Sequence, residues 1–337
     1  MKILGLETSC DDTAAAVIED GCNVLSSVVA SQDELHERFG GVVPEIACRA
    51  HIESLLPGVR EALDRADMDL DDIDAIATTT TPGLIGALLI GVTAAKALSW
   101  ALDVPLIAVN HLQAHIYGAW LGGEEPATPA LSLVVSGGHT SLYITRGPLS
   151  HERLGGTVDD AAGEAFDKVG KILGLGYPGG PAIEKAARDG DAEAVDFPRT
   201  WLDEDNYDFS FSGLKTAVLY HCVGNNASKR DLENVSFTRD FVCDVSASFQ
   251  EAVVDVLVGK ACQAAERNAA RSIILGGGVA ANGRLRERLQ DAADARGLNL
   301  VAAPRKFCTD NAAIVAGLAF HMLKEGQKAN LTVEASP

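Results

Sequence analysis

The sequence has few positive charges and few aromatic side chains for its length. Its 337 residues include 28 Lys and Arg against 47 Asp and Glu, which gives a formal net charge of −19, and 5% of the residues are aromatic. Non-specific coating of nucleic acid needs clustered cations that neutralise phosphates, so this balance argues against it. A local basic patch, or a partner protein that brings the positive charge, is compatible with the composition.

The sequence also has no closely paired cysteines. The 7 cysteines are scattered along the chain, and no two of them are spaced C-x-x-C. This argues against a disulfide framework and a zinc knuckle, and it predicts reduced thiols in a cytosol. We therefore expect a cytoplasmic protein.

No uninterrupted hydrophobic run is long enough for a membrane helix. The longest uncharged stretch, residues 75–95, contains a run of four threonines followed by Pro82-Gly83. A spanning helix needs about 20 mainly apolar residues, so a buried strand, a turn and a helix are predicted here instead. The apolar residues before Glu7 are too few for a signal peptide.

What the sequence does contain is one arrangement of elements twice. Apolar runs separated by polar turns begin near Lys2 and again near Ala130, which predicts a β-meander at the start of each half. Helices and further strands alternate after each meander, which favours sheets covered on both faces. Predicted strands cover 2–6, 14–18, 23–30, 73–79, 105–109, 130–135, 141–145 and 272–275, and predicted helices cover 44–66, 84–102, 160–173, 246–270, 284–296 and 311–324.

This duplication predicts an α/β protein with the actin-like ATPase fold, of the ASKHA and ribonuclease H-like class. Two βββαβαβα lobes would enclose a cleft, with an N-terminal lobe at residues 1–125 and a C-terminal lobe at 126–337. A generic doubly wound sheet would not explain the second meander. Residues 192–240 do not fit the repeat, and we predict that they form an insertion that offers a surface to a partner or substrate.

Two histidines are spaced for a shared metal ion. His111 and His115 follow a predicted strand, and on a helix an i, i+4 spacing places both imidazoles on one face. Leu112 stands where an H-E-x-x-H zinc peptidase needs its glutamate, which disfavours that class. Asp310 is the candidate third ligand, and such a set leaves coordination positions open. The alternatives are two unrelated histidines on a half-buried helix, and Asp310 as a helix N-cap.

Glycine-rich turns in the second half are candidates for binding phosphate. They lie at 134–138, 179–180 and 276–282, where small residues let backbone N–H groups approach an anion. Glycine turns are common, so each alone is weak evidence. Together with a polar turn at 8–12 they predict a nucleotide site. Asp167 could contact a ribose hydroxyl or a substrate amine, or be a solvated helix residue beside two lysines.

Nine strings stand out along the chain. They are GLETSCDD (5–12), GVVPE (41–45), HLQAH (111–115), VSGGHT (135–140), DDAAGEAFDK (159–168), YPGGP (177–181), FSFSGLKT (209–216), GGGVAAN (276–282) and CTDNAA (308–313). In this order they resemble the motifs of one family, the tRNA N6-adenosine threonylcarbamoyltransferases (TsaD), formerly called O-sialoglycoprotein endopeptidases. The match extends over nearly the whole chain. It departs from the family pattern at Thr81-Pro82-Gly83, where Gly-Pro-Gly is more usual, and at Glu184, where some relatives have Asp.

The resemblance implies transfer of the threonylcarbamoyl group of threonylcarbamoyl-AMP to the exocyclic amine of a tRNA adenosine. The adenosine is the one 3′ of the anticodon in tRNAs that read codons starting with A. The implied partners are tRNA, a TsaB-like and a TsaE-like protein, with no membrane.

The resemblance also implies one divalent ion, Fe2+ or Zn2+, on His111, His115 and Asp310. It places an adenine nucleotide in the cleft, either threonylcarbamoyl-AMP or ATP or ADP, and makes Asp11 a candidate catalytic residue. The implied substrate-binding residues are Val134, Val135, Ser136, Gly137, Gly138, Asp167, Gly180 and Asn282.

Three other functions stay open at this point. The first is an ATP-dependent small-molecule kinase or carbamoyltransferase of the same fold, and the second is a metallopeptidase, which Leu112 disfavours. The third is a non-catalytic scaffold, which should lack the histidine pair. Because the chain is acidic, we expect tRNA docking to depend on partners and on a local patch near Arg284, Arg286 and Arg288.

Overall fold

The computed structural model describes residues 1–201, 206–224 and 236–337. In that part of the chain, two groups of strands are each followed by alternating helices and strands. The strands are β1 Lys2–Glu7, β2 Thr13–Glu19, β3 Asn23–Ala30, β4 Ala75–Thr81, β5 Leu106–Asn110, β6 Ala130–Val135, β7 Thr140–Gly147, β8 Ser150–Gly156, β9 Ser272–Gly276 and β10 Asn299–Ala302. The helices are α1 Asp33–Glu37, α2 Pro44–Ala66, α3 Ile85–Leu102, α4 His111–Tyr117, α5 Ala162–Ile172, α6 Gly179–Ala187, α7 Ser212–Val223, α8 Arg239–Arg267, α9 Gly283–Asp294 and α10 Ala312–Lys324.

The first sheet has the strand order β3-β2-β1-β4-β5. Its β1 pairs antiparallel with β2 and parallel with β4, and alternate β1 side chains enter two different cores. Ile3 packs with residues of α10, whereas Leu4 and Leu6 pack with residues of α2 and α3. A strand covered on both faces is apolar throughout, which explains the apolar run that ends at Glu7.

The second sheet repeats the first, with the order β10-β9-β6-β7-β8. Here β6 takes the place of β1, because it pairs antiparallel with β7 and parallel with β9. Parallel neighbours need a crossover connection, and the helices between β8 and β9 and between β9 and β10 supply it. The shared topology confirms the predicted duplication of an α/β unit.

By packing, the chain divides into two compact units. The first contains Met1–Glu125, Arg146–His151 and Ala303–Pro337, and the second contains Pro126–Thr145 and Glu152–Ala302. The division by sequence kept residues 303–337 with the C-terminal lobe, whereas by packing they belong to the first unit. The reason is that the buried residues of α10 share one hydrophobic core with β1, β2, β4 and β5.

Among the described residues, α3 is the one helix that is long and apolar enough to cross a membrane by length and composition. Of its most apolar window, 33% is buried. Leu88, Val92 and Ala95 of α3 are buried, and Ala95 packs in one core with Leu4 and Leu6 of β1. A helix that packs in a protein core meets the same criteria. The strand, turn and helix predicted over residues 75–95 correspond to β4 and α3.

The predicted insertion at 192–240 is described only in part. Its residues 202–205 and 225–235 lie outside the described residues. The remainder contains α7 and the beginning of α8, and Phe209 forms a parallel bridge with Thr157, directly after β8. The described part of the insertion is therefore joined to the second unit.

Candidate metal centre and glycine turns

The two histidines lie at the start of α4, directly after β5. Asn110 caps the helix, because its Oδ1 accepts hydrogen bonds from the N–H groups of Leu112 (3.0 Å) and Gln113 (3.1 Å). The segment is therefore helical, as the i, i+4 argument requires. His111 and His115 are both buried, and their ring centroids are 4.5 Å apart.

Three potential ligand atoms converge there. His115 Nε2 lies 3.2 Å from His111 Nε2 and 3.1 Å from Asp310 Oδ1, and His111 Nε2 lies 3.5 Å from the same oxygen. Ligands about 2.1 Å from a tetrahedral ion are about 3.4 Å apart, so these atoms have the spacing of one tetrahedral face. Two imidazoles and a carboxylate suit Zn2+ or Fe2+ and leave positions open. His111, His115 and Asp310 thus form a group that could hold a metal ion.

Asp310 lies just before α10, in the same compact unit as the histidines. It does not cap that helix. Asn311 does so instead, because its Oδ1 accepts the N–H of Ile314 at 3.1 Å. The structure therefore excludes the alternative in which Asp310 is the N-cap.

Two carboxylates make this cluster attractive to a cation. Burial alone would lower the pKa of His111, but Asp310 and Glu7 outweigh it and raise the pKa to about 9. Burial would likewise raise the pKa of Glu7, but His111 and the Thr79 hydroxyl hold it below its ordinary value. The cluster therefore favours a bound positive charge, either a proton or a metal ion. Sequence reasoning missed Glu7, although a charged residue ending an apolar strand is a signal for it.

Asp11, the candidate catalytic residue, lies in the turn between β1 and β2. Burial raises its pKa against the effect of a hydrogen bond with Cys10, and the Asp310 carboxylate adds to the rise. Burial and the same carboxylate raise the pKa of the adjacent Asp12 to about 8. A carboxyl group with a raised pKa suits general-base catalysis. The catalytic role of Asp11 stays a prediction.

Buried hydrogen bonds hold this turn in place. His51 Nε2 donates to the carbonyl oxygen of Cys10 (2.9 Å), so His51 Nδ1 accepts from the Thr13 hydroxyl (2.8 Å). Gln32 connects His51 with a second buried histidine, His36, at 3.5 and 3.3 Å. Burial lowers the pKa of His51, which favours the neutral form that this arrangement needs. Sequence reasoning missed these residues, and a buried histidine on the apolar face of α2 is the signal that could have found His51.

In the second unit, the turn between β6 and β7 presents its backbone outward. The N–H of Ser136 donates to the carbonyl oxygen of His139 (2.7 Å), which closes the turn. Gly137 and Gly138 are exposed, and the described part of the chain offers no acceptor to their N–H groups. These N–H groups could therefore bind an anion, and the phosphate site at this turn stays a prediction.

The surroundings of this turn are tightly packed. Val134 and Val135 are fully buried, backbone included, and their contact with substrate stays a prediction. A Cβ at Gly163 in α5 would lie 2.5 Å from the carbonyl oxygen of Ser136. A Cβ at Gly277 would clash with the carbonyl oxygen of Val135. Gly277 also has φ +93°, which L side chains rarely adopt. Glycine at both positions lets the neighbouring segments approach the turn.

Asp167 contacts the start of α6 at Gly179, the residue before Gly180. Asp167 Oδ1 accepts the N–H of Gly179 at 2.8 Å, so Asp167 is more than a solvated helix residue. At Gly180 there is open space where a Cβ would stand. Asp167 therefore has a structural partner, and its contact with substrate stays a prediction.

Asn282 is buried, and its side-chain amide is used within the protein. Its Oδ1 caps α9 by accepting the N–H of Leu285 (2.9 Å), and its Nδ2 donates to Gln250 (2.8 Å). The next N–H, that of Gly283, donates to Glu184 at 3.1 Å. The structure gives Asn282 a role in shaping its loop, and its contact with a nucleotide stays a prediction.

Two of the family-like strings are tied together in this unit. Asp160 accepts hydrogen bonds from Lys168 (2.7 Å) and Lys215 (2.9 Å), and Asp159 accepts the N–H of Phe211 (2.9 Å). Lys215 and Phe211 belong to the insertion. The described part of the insertion is therefore fixed to the segment before α5.

The arginines that were expected to form a basic patch are already engaged. Arg284 and Arg288 contact acidic side chains of α8 and α9, while Arg286 donates to the carbonyl oxygen of Ala280 at 2.5 Å. The positive charge expected there is therefore largely neutralised. The pairs are Arg284 with Glu251 and Glu287, and Arg288 with Glu251 and Asp255.

Comparison with known proteins identifies one family. Residues 23–317 match the family model of TsaD, tRNA N6-adenosine threonylcarbamoyltransferase. A protein of that name from Symbiobacterium thermophilum is 52% identical over 99% of this chain and 95% of its own length. Another from Bacillus cereus is 50% identical, again over 99% of this chain and 95% of its own length.

Solved structures support the fold at much lower identity. Full-length HypF in its phosphate- and nucleotide-bound form matches with a TM-score of 0.61 and 16% identity, over 97% of this chain and 47% of that one. Component A of the (R)-2-hydroxyglutaryl-CoA dehydratase of Acidaminococcus fermentans matches with a TM-score of 0.55 and 14% identity, over 96% of this chain and 99% of that one. The predicted actin-like ATPase fold is thereby confirmed.

Proposed function

Because this chain belongs to the TsaD family of tRNA N6-adenosine threonylcarbamoyltransferases, we propose that it transfers the threonylcarbamoyl group of threonylcarbamoyl-AMP to a tRNA adenosine. The acceptor is the exocyclic amine of the adenosine 3′ of the anticodon, in tRNAs that read codons starting with A. The observation that carries the proposal is the convergence of His111, His115 and Asp310, the residues at which the family resemblance implies a metal ion.

The reaction is difficult because the acceptor amine is a poor nucleophile, with its lone pair delocalised into the adenine ring. A bond forms between this nitrogen and the carbamoyl carbon, and AMP leaves. The protein must orient both reactants and stabilise charge on the donor carbonyl and phosphate. A divalent ion on His111, His115 and Asp310 would supply Lewis-acid binding of the threonylcarbamoyl end.

We propose that Asp11 is the general base that accepts the proton released by the amine. A general base must be partly ionised at the working pH and basic enough to accept a proton. Burial of Asp11, together with the Asp310 carboxylate, raises its pKa in that direction. A metal ion on Asp310 would offset part of this rise, because it neutralises the carboxylate that contributes to it.

We propose that the glycine turns of the second unit bind the phosphate of the adenylate through backbone N–H groups. The exposed N–H groups of Gly137 and Gly138 and the open space at Gly180 support this assignment. Asp167 and Asn282 would act by holding these loops in shape, since both bind neighbouring protein groups.

TsaB-like and TsaE-like partners are part of the proposal. Helices α2 and α3 pack together and expose large apolar side chains, among them Ile52 (65% exposed), Leu56 (63%) and Trp100 (75%). Exposed apolar surface of this kind is typical of a protein interface, and we assign it to the TsaB-like partner. With a net charge of −19, the chain is expected to bind tRNA through that assembly, in the cytoplasm.

The test is reconstitution from purified parts. The metal-loaded protein, both partners, unmodified tRNA and threonylcarbamoyl-AMP should yield threonylcarbamoyladenosine in a nucleoside digest analysed by mass spectrometry. Complete absence of this nucleoside would contradict the proposal. Phosphorylation of a small molecule without tRNA would favour a kinase, and metal-dependent proteolysis would favour a peptidase.

A further inference from the structure

Glu7 is a fully buried carboxylate that the proposed reaction does not use. It ends β1 and is 0% exposed. One oxygen accepts the N–H of Ser9 at 2.5 Å, and the other accepts the Thr79 hydroxyl at 2.5 Å and lies 3.3 Å from His111 Nδ1. An unpaired buried carboxylate would be costly, so these partners explain how it is tolerated.

Both oxygens of Glu7 therefore face donors. The N–H of Ser9 can only donate, and a carboxylate can only accept, so this contact fixes one oxygen as an acceptor. His111 Nδ1 lies 3.3 Å from a Glu7 oxygen and 3.2 Å from the Ser9 hydroxyl. The hydroxyl can donate or accept, whereas the carboxylate can only accept, so both contacts are satisfied when Nδ1 carries the proton and donates. In neutral imidazole the other nitrogen then carries the lone pair, and that nitrogen, Nε2, is the one that faces His115 and Asp310.

We propose that Glu7 is a positioning residue that holds His111 in its Nδ1–H form and so presents the Nε2 lone pair to a divalent metal ion. This inference rests on the metal part of the proposed function. It explains why the residue is a carboxylate rather than an amide. A glutamine that kept its oxygen on Ser9 would turn its NH2 group toward His111 and Thr79, which would favour the opposite form of His111.

The neighbouring histidine lacks such a partner. His115 Nδ1 is buried and has no hydrogen-bond partner among the described residues. Its ring is oriented by packing and by the contacts of its Nε2 with Asp310 and His111. The two ligands should respond differently to changes at Glu7, with His111 affected and His115 largely unaffected.

The test uses Glu7→Gln in the full chain, with binding of Zn2+ measured by chelator competition. Loss of an outer carboxylate partner is expected to weaken metal binding by about 10–100-fold. Thr79→Val is the matched control, because it removes a hydrogen bond to Glu7 but leaves the carboxylate facing His111. The Zn2+ affinity of Thr79→Val should stay within about threefold of wild type. Glu7→Asp keeps an acceptor, so its Zn2+ affinity should lie between those of Glu7→Gln and wild type.

The second readout is independent of metal and of activity. Imidazole nitrogen NMR on the metal-free protein, recorded at alkaline pH where the nitrogen shifts no longer change with pH, should show His111 protonated on Nδ1 in wild type and on Nε2 in Glu7→Gln. Wild-type His111 protonated on Nε2 would overturn the proposal even if no variant folds. So would a Glu7→Gln protein that keeps either wild-type Zn2+ affinity or the Nδ1–H form. If wild type binds no Zn2+ yet shows the Nδ1–H form, the metal part of the proposed function fails and with it the proposed purpose of Glu7.

Discussion

The candidate metal centre of the first unit and the glycine turns of the second are built in opposite ways. In the first, side chains define the centre: His111 and His115 are buried and face Asp310, and His111 also contacts Glu7. In the second, exposed backbone at Gly137 and Gly138 defines the candidate anion site, and buried side chains only shape the loops.

This difference determines what a substitution should do. Removing a ligand side chain from the first unit should abolish metal binding while the helix that carries the side chain stays folded. In the second unit, adenylate binding should be sensitive to added atoms that displace the backbone, because backbone N–H groups would make the contacts. A variant of a metal ligand should therefore lose metal and keep its nucleotide affinity, whereas a variant of a glycine near the turn should keep metal and lose nucleotide affinity.

The largest effect is expected for His111→Ala. Loss of a direct ligand should exceed the loss of an outer partner, so metal affinity should fall by more than about 100-fold and tRNA modification should stop. Elemental analysis of the purified variant measures how much metal it retains, and nucleoside mass spectrometry measures tRNA modification. Gln113→Ala, on the same helix, is the control and should keep both. A His111→Ala protein with full metal content would show that the ion binds elsewhere.

The next effect tests the second unit. Gly163→Ala should push the turn at Ser136, where the added Cβ would lie 2.5 Å from the carbonyl oxygen. Such overpacking costs about 1–3 kcal/mol of the free energy of unfolding, and a displaced turn should weaken adenylate binding by about tenfold or more. Calorimetric titration with a stable adenylate analogue measures the affinity.

Gly213→Ala is the matched control, because a Cβ there would meet open space. It should leave adenylate affinity unchanged, and Gly163→Ala should leave metal content unchanged. A Gly163→Ala protein that loses metal but keeps adenylate affinity would reverse the comparison.

The sequence predicts the parts of this architecture whose signals are local. Helix α2 has the predicted bounds, and the histidine pair lies four residues apart on one short helix. Helix α6 was not predicted, because it begins in a glycine pair that is typical of a turn. Asp310, 195 residues from His115, was found through its motif rather than through spacing.

The supporting residues could not be predicted in the same way. Glu7 lies 104 residues from His111, and His51 lies 41 residues from Cys10, so nothing near either residue in sequence reveals its partner. Asn282 was found as part of a glycine-rich string, but the sequence does not show that its amide would cap α9 and bind Gln250. Contacts that the fold makes between distant segments supply this information.

A smaller effect is expected at Asn282, where structure and binding can be separated. Asn282→Ala should lower the free energy of unfolding by about 1 kcal/mol through loss of the helix cap, and should weaken adenylate binding. Asn282→Asp keeps a capping oxygen and should restore most of the stability, as measured by denaturant unfolding. If adenylate affinity follows stability in both variants, Asn282 acts through the loop. Direct contact would instead leave Asn282→Asp stable but weakly binding.

The smallest effect concerns pH and the turn that carries Asp11. Burial lowers the pKa of His51 below its ordinary value of 6.5, so its neutral form stabilises the fold above that pH. This contribution is lost as the pH falls below 6.5 toward the folded-state pKa. The free energy of unfolding should therefore fall less steeply between pH 7 and pH 5 in His51→Gln than in wild type. Parallel curves would contradict the assignment of His51 as a buried neutral histidine.

The most direct test of the metal centre is anomalous diffraction at the metal edge from crystals of the metal-loaded protein. We predict one peak about 2.0–2.2 Å from His111 Nε2, His115 Nε2 and a carboxylate oxygen of Asp310. A peak bound by other residues, or no peak at these three side chains when metal is saturating, would contradict the account.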